Sequence, residues 1–237
     1  MTADAGHLEK AGGAEDSFET YLYLITHDLR ACFRALKTIP VWIAEDLNNA
    51  EVPAEVYAHL EMLTTQALRG DRMLIDLREF SRVGRLSSPP VTEDIRSIAE
   101  RCWKALSPPD TVELDLDQAE GAVTLPHEDA TRLFSALLEN AVKHRDRPEG
   151  HVRIVSSSEP DARIRIEDDG PGIPEAAREA ALRPFERLDQ ARNQDRGGGV
   201  GLGLSIAADV ARAHGGVLRL DTSETLGGLR ADLVVAR

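Results

Sequence analysis

Between Phe18 and Ile43 the apolar residues fall at Phe18, Leu22, Ile25, Leu29, Cys32, Leu36, Ile39 and Ile43, in alternate steps of four and three. That spacing keeps one narrow apolar stripe along one side of an α-helix, and such a stripe must be covered by another helix. Pro40 lies inside the run and predicts a kink there. Asn48 to Glu51 reads as a short turn, and Pro53 suits the first turn of a second helix. A second stripe follows at Val56, Leu60, Leu63, Ala67, Leu74 and Leu77, with Gly70 and Ser81 as weak places. Two long helices joined by a short turn make an antiparallel hairpin. One hairpin cannot cover both stripes, whereas two hairpins form a four-helix bundle, so the pattern predicts a homodimer.

The rest of the chain is built differently. Residues 1–16 are small and polar and predict a frayed lead-in. The hairpin occupies 17–85, and residues 86–91, beginning Leu-Ser-Ser-Pro-Pro, read as a linker. From 92 to 237 short strands and helices are mixed. Helices are predicted over Ile95 to Leu106, Glu128 to His144 and Leu202 to His214, the last stopped by Gly215-Gly216. Strands are predicted over 112–116, 122–125, 152–156, 162–167, 217–221 and 229–235, with Gly-rich and charged sequence filling Gly170 to Gly201. The expected class is α+β: a helical hairpin followed by an α/β sandwich whose sheet is covered on one face.

Charge narrows the function. The chain has 41 acidic and 28 basic residues, a formal net charge of −13. Nucleic-acid binding needs clusters of Lys and Arg, and docking on an anionic membrane needs a basic surface, so neither is expected. Cys32 and Cys102 are far apart and in no ligand spacing, as ordinary thiols in a reducing compartment would be. No apolar run approaches a membrane span and the N-terminus has no signal-peptide core, so a cytoplasmic location is expected.

Four stretches carry chemistry. In His27-Asp28-Leu29-Arg30, Ile25 and Leu29 belong to the apolar stripe, which turns His27 to the opposite, outward face. A neighbouring carboxylate at Asp28 can fix the imidazole tautomer and raise the nucleophilicity of the other nitrogen. By itself this is equally a surface histidine beside a surface aspartate. In Glu139-Asn140-Ala141-Val142-Lys143-His144, Asn140 and Lys143 share a helix face and Glu139 is four residues from Lys143. An amide oxygen can ligate Mg²⁺ and a lysine can meet phosphate oxygens; the plain alternative is a polar helix edge. Asp168-Asp169-Gly170-Pro171-Gly172-Ile173 follows a strand directly. Its glycines let the backbone approach a flat ligand, and a carboxylate there can accept from an exocyclic amine such as that of adenine. An ordinary Asp-Gly-Pro turn is the alternative. Gly197 to Leu204 opens an apolar helix, where glycine amides and a helix N-terminus make an anion site. It has neither the dinucleotide fingerprint nor a Gly-Lys-Ser/Thr P-loop.

In order and in context, these stretches resemble the histidine kinase family. His27 to Arg30 is similar to its phosphoacceptor box and Glu139 to His144 to its asparagine box. Asp168 to Gly172 is similar to its first glycine box, D-x-G-x-G. Pro184-Phe185-Glu186-Arg187 is similar to its phenylalanine box, and Gly199-Val200-Gly201-Leu202-Gly203-Leu204 to its second glycine box. The resemblance covers roughly Ser17 to Arg237. It implies a sandwich of the histidine kinase and chaperone ATPase type that binds ATP with Mg²⁺. Asn140 would ligate the Mg²⁺, supported by Glu139, and Lys143 would meet phosphate oxygens, with His144 flanking the nucleotide. Asp168 would hold the adenine amine, with Gly170, Gly172 and Ile173 around it. Gly201 and Gly203 would offer backbone amides to the phosphates, with Arg187, Gly199, Leu202 and Leu204 completing the nucleotide-binding set. Residues from Arg187 to Gly198 would form a lid. His27 would attack the γ-phosphate, Asp28 would orient it, and the phosphoryl group would pass to an aspartate of a response-regulator receiver domain.

Three positions depart from the family pattern. A proline common five residues after the histidine is Cys32 here. A Thr or Asn common four residues after it is Ala31, which predicts weak phosphatase activity toward the partner. A second asparagine four residues before Asn140 is Ala136. The helix begins almost at once, leaving no room for a sensor domain, so the signal is expected either from a longer parent chain or from a separate sensor protein. The competing function is a dimeric histidine phosphotransfer or scaffold protein that has lost ATP chemistry; intact Asn140, Asp168 and Gly199 to Gly203 oppose it. Other ATPases of the same nucleotide fold lack the phosphoacceptor hairpin.

Overall fold

A computed structural model of the protein describes residues 29, 33–47, 53–82, 88–157, 162–186 and 201–235. The chain forms two compact units that part between Ser81 and Arg82.

The first unit is helical. Helix α1 covers residues 33–46 and α2 runs Ala54–Arg82. The α1 helix continues through Pro40, which is buried. Lys37 Nζ lies 3.3 Å from Asp71 Oδ2, tying the two helices together. Gly70 is no weak place: a Cβ built there would lie 2.1 Å from Cε1 of Phe33, so the ring occupies the space of the missing side chain. Leu36, Ile39 and Ile43 remain 40%, 41% and 38% exposed, and Met62 and Met73 of α2 are also open. Among the described residues, Leu36, Ile39 and Ile43 of the first stripe are therefore uncovered in the single chain, whereas Ala67 and Leu74 of the second stripe are buried.

The second unit is a two-layer sandwich. Its elements are β1 Val91–Asp94, α3 Ile95–Leu106, β2 Val112–Gln118, β3 Ala122–Leu125 and α4 His127–Lys143. They continue with β4 Gly150–Ser157, β5 Ala162–Asp168, α5 Glu175–Ala181, α6 Gly203–Ala213, β6 Val217–Thr222 and β7 Leu229–Val235. Five strands form one sheet in the order β2-β4-β5-β7-β6, and β1 pairs with β3 in a separate antiparallel ribbon. Only β2 and β4 run parallel within the large sheet.

Period-two alternation sorts the sheet into two faces. Val152, Ile154, Ile164, Ile166, Leu218, Leu220, Ala231 and Leu233 are buried. Register places them side by side, as in Ile154↔Ile166↔Ala231↔Leu220. Helix α4 contacts β4 and β5, and α6 contacts β6 and β7; α4 also packs against α3 and α6. The other face carries rows of alternating charge. Asp115, Arg153, Glu167, Arg230 and Asp221 are successive cross-strand partners over all five strands, and Arg165, Asp232 and Arg219 form a second row. Opposite charges facing across strands stabilise the ladder, and a neutralised row offers little attraction to a charged partner. The predicted sheet covered on one face is what the chain forms.

Two elements differ from the sequence reading. Strand β1 lies where the linker was expected to end, because four residues carry too little alternation to declare a strand. Pairing of Val91 with Leu125 and Thr92 with Thr124 defines it instead. Helix α5 lies inside the stretch read as Gly-rich and charged. Its sequence, EAAREAA, is made of good helix formers but is too short to show an apolar stripe.

Candidate active site

Three chain segments converge at one end of the sandwich. The first is the C-terminal end of α4. Ala130, Leu133, Phe134, Leu137, Leu138, Ala141 and Val142 are buried, so the helix is fixed in rotation about its axis. That fixing leaves Glu139, Asn140 and Lys143 half-buried along the polar edge, with His144 exposed at the C-cap. The His144 N–H donates to the Asn140 carbonyl at 3.0 Å, closing the helix.

The second segment leaves β5. Asp168 is buried at the strand's last position. Its Oδ1 accepts from the backbone N–H of Gly170 and of Leu229, each at 3.0 Å. Both bonds reach the same oxygen, which leaves Oδ2 for a ligand. Burial pushes the Asp168 carboxyl above its ordinary value, and the two N–H donors only partly offset that. Gly228 is required for this arrangement: a Cβ there would lie 2.4 Å from both the carbonyl oxygen and Oδ1 of Asp168. Gly172 has φ +68 and lies against the Gly228 backbone, a conformation that favours glycine. Asp169 points elsewhere. It pairs with Arg147 at 2.8 Å and accepts from the His151 N–H, pinning the start of β4. The Ile173 carbonyl accepts from Arg178, which also reaches Asp221 and Thr222 and so fastens the loop to β6.

The third segment opens α6. Gly201 has φ +80, and a Cβ there would lie 2.5 Å from the Glu186 carbonyl oxygen. The Phe185 N–H donates to the Gly201 carbonyl at 3.0 Å, so the phenylalanine and second glycine boxes touch. Phe185 itself is exposed at φ +64, where a bulky residue is strained. No side chain caps α6 at Leu202, so its first amides face the space before the helix. The Leu202 and Leu204 side chains are core residues; only their backbone can meet a ligand.

These segments adjoin one another. A Cβ at Gly170 would lie 3.5 Å from the His144 carbonyl, and one at Gly203 would lie 3.8 Å from the Ala136 carbonyl, one turn before Asn140. The structure thus brings together Glu139, Asn140, Lys143, His144, Asp168, Gly170, Gly172, Ile173, Gly201, Leu202, Gly203 and Leu204. His27, Asp28, Arg187 and Gly199 lie outside the described residues. Sequence reasoning missed Gly228 and Arg178. The pair Gly227-Gly228 immediately before an alternating strand was the available signal for the first; nothing in the sequence singles out the second.

This donor set fits a nucleotide. It has a buried acceptor at a strand end for an amine, glycines that keep side chains out, and uncapped helix amides for phosphates. Among the described residues no group of three His, Cys, Asp or Glu side chains could hold a metal. A divalent cation here would depend on phosphate oxygens together with Asn140 and Glu139.

Comparison with known proteins places the fold. Residues 127–235 match the family described as histidine kinase-, DNA gyrase B- and HSP90-like ATPase. The sensor protein KdpD of Rathayibacter rathayi is 33% identical over 220 residues, 87% of this chain and 24% of that protein. The sensor histidine kinase CpxA of Escherichia coli K12 is 32% identical over 181 residues, 72% of this chain and 38% of that protein. A mycobacterial sensor histidine kinase, MprB, superposes with a TM-score of 0.55 at 27% identity, covering 62% of this chain and 97% of that one. Full-length ShkA in complex with AMPPNP shares the fold, with a TM-score of 0.62 at 20% identity over 92% of this chain and 45% of that one. The fold and site define an ATP-binding catalytic domain of the histidine kinase class. The chain is similar over most of its own length to sensor histidine kinases, and it spans between about a quarter and two fifths of the length of these curated relatives.

Proposed function

We propose that this chain is the dimeric, cytoplasmic core of a protein-histidine kinase that phosphorylates its own His27 from Mg-ATP and passes the group to a receiver-domain aspartate. The observation that carries the reading is Asp168, a buried carboxylate with one oxygen tied to the backbone and the other left over at the mouth of a glycine-lined loop. In this reading Oδ2 accepts from the adenine amine, and Gly170 and Gly172 keep the ring's path clear. The α6 amides at Gly203 and Leu204 meet the phosphates, with Lys143 beside them. Asn140 and Glu139 hold the Mg²⁺, which neutralises phosphate charge. An imidazole nitrogen of His27 forms the bond to the γ-phosphorus as the bond to the bridging oxygen breaks, and Asp28 takes the imidazole proton. Most of the acceleration then comes from positioning and charge neutralisation.

The test is incubation with γ-labelled ATP and Mg²⁺, with His27→Ala alongside. Acid-labile, alkali-stable label that vanishes in the variant supports the reading. Failure to bind nucleotide at all would replace it with a phosphotransfer scaffold.

A further inference from the structure

The far end of the α4–α6 pair carries a polar cluster that the nucleotide site does not use. Asp129, in the first turn of α4, is fully buried. Its Oδ1 accepts from Arg132 Nη1 at 2.7 Å, and its Oδ2 lies 2.9 Å from Nε2 of His214, the C-cap of α6. A carboxylate only accepts, so Nε2 carries the proton. The His214 backbone is itself fixed. Its N–H bonds to the carbonyls of Val210 and Ala211, and Gly216 N–H returns to Ala211 across Gly215 at φ +71.

The remaining contacts of α6 are of another kind. Its buried residues are Leu204, Ser205, Ile206, Ala207, Ala208, Val210 and Ala211, mostly small and apolar. Apolar burial is non-directional, and small side chains make shallow ridges, so this surface resists separation of α4 and α6 better than sliding between them. A hydrogen bond between a buried carboxylate and a ring nitrogen is directional and charge-assisted, and it fixes distance and angle together. Slippage also strips a partner from a buried carboxylate, which is costly.

We propose that His214 is a positioning residue: through Asp129 it sets the axial register of α6 on α4, and thereby places the amides at Gly203 and Leu204 opposite Asn140. His214 stands about 16 Å from Gly203 at a rise of about 1.5 Å per residue, so it touches no substrate. Helices transmit an axial shift with little loss, so a displacement at His214 arrives at the phosphate end undiminished. The adenine end is unaffected, because Asp168, Gly170, Gly172 and Gly228 belong to β5, its following loop and the turn into β7. This inference rests on the nucleotide site proposed above.

The experiment measures affinities of the full chain for AMP and for a non-hydrolysable ATP analogue with Mg²⁺. The unmodified protein is compared with His214→Ala, His214→Gln and His214→Asn. Gln is long enough to donate to Asp129 and Asn is not. The expected result is AMP affinity within about twofold for all four, and analogue affinity down about tenfold in Ala and Asn but restored by Gln, as one charge-assisted hydrogen bond implies. Should the Ala variant not fold, the Gln and Asn pair carries the same comparison. Equal loss of AMP and analogue affinity, no rescue by Gln, or no change in any variant would overturn the positioning role. Absence of nucleotide binding by the unmodified chain would instead overturn the kinase reading on which it rests.

Discussion

Asp168 sets a stability cost against a binding role, and the two can be separated. Its carboxyl is raised by burial, so the folded chain holds a proton there more tightly than the unfolded chain does. The charged form therefore opposes folding at neutral pH, and that opposition fades as pH falls through the raised value. Asparagine keeps an oxygen for the Gly170 and Leu229 amides and removes the buried charge. It places an amide donor where Oδ2 was, and in the proposed site that donor would face the adenine amine, another donor. Asp168→Asn is expected to melt no lower than the parent at pH 7.5, with any gain shrinking toward pH 4. Its ATP affinity should fall about tenfold or more, the usual cost of an unsatisfied buried polar pair. Thermal denaturation across that pH range and a nucleotide titration check the two halves separately. A melting temperature well below the parent at neutral pH would show that the carboxylate's charge supports the fold.

Phe33 and Gly70 show why element-level stability is not read from propensity. Glycine inside α2 costs about 1 kcal/mol against alanine in a helix interior, yet here it is the socket for an aromatic ring of α1. Gly70→Leu adds helix propensity and should still lower the melting temperature of the hairpin by several degrees, because the side chain and the ring claim one space. Phe33→Ala alone leaves a cavity; combined with Gly70→Leu it should recover most of the loss, and denaturation of the two single variants and the double checks this. The same pair marks the limit of legibility. The stripes of the hairpin and the strand alternation after Ile95 were plain in the sequence, since local periodicity reports them. What periodicity cannot report is what meets across the fold. The ring on Gly70, the pairing that makes β1 a strand, and the Gly228 backbone against Asp168 all join residues distant in sequence. The site was legible where it follows a local pattern, as at Asp168 to Gly172. Asp129 and His214, 85 residues apart, were visible only once α4 and α6 were side by side.

At the scale of the whole molecule, the described part of the first stripe is uncovered in the single chain. Leu29, Leu36, Ile39 and Ile43 are spaced for a helical partner and lie exposed. In the proposed dimer a second copy would present the same stripe, and a two-fold arrangement would cover both. Ile39→Glu with Ile43→Glu should convert a dimer to a monomer in sedimentation while leaving ATP affinity unchanged, because the nucleotide residues lie in the other unit; a wild-type monomer at tens of micromolar would reject the bundle. If the proposed function holds, the helix that carries His27 would also govern how long a receiver partner stays phosphorylated. Dephosphorylating a receiver needs a side chain near His27 able to hold a water by hydrogen bonds. Four residues on in the sequence the chain has Ala31, whose methyl group can neither donate nor accept. The bundle is therefore expected to act as a source of phosphoryl groups with little return hydrolysis. Ala31→Thr introduces a hydroxyl at that position and should speed loss of label from a phosphorylated receiver about tenfold, as about 1.4 kcal/mol from one hydrogen bond implies. Autophosphorylation should change by less than about twofold, since the substitution alters neither His27 nor the proposed nucleotide site. The measurement is the decay of labelled receiver with unmodified or Ala31→Thr protein in the presence of ADP. Rapid decay with the unmodified protein would mean that another side chain already holds the water.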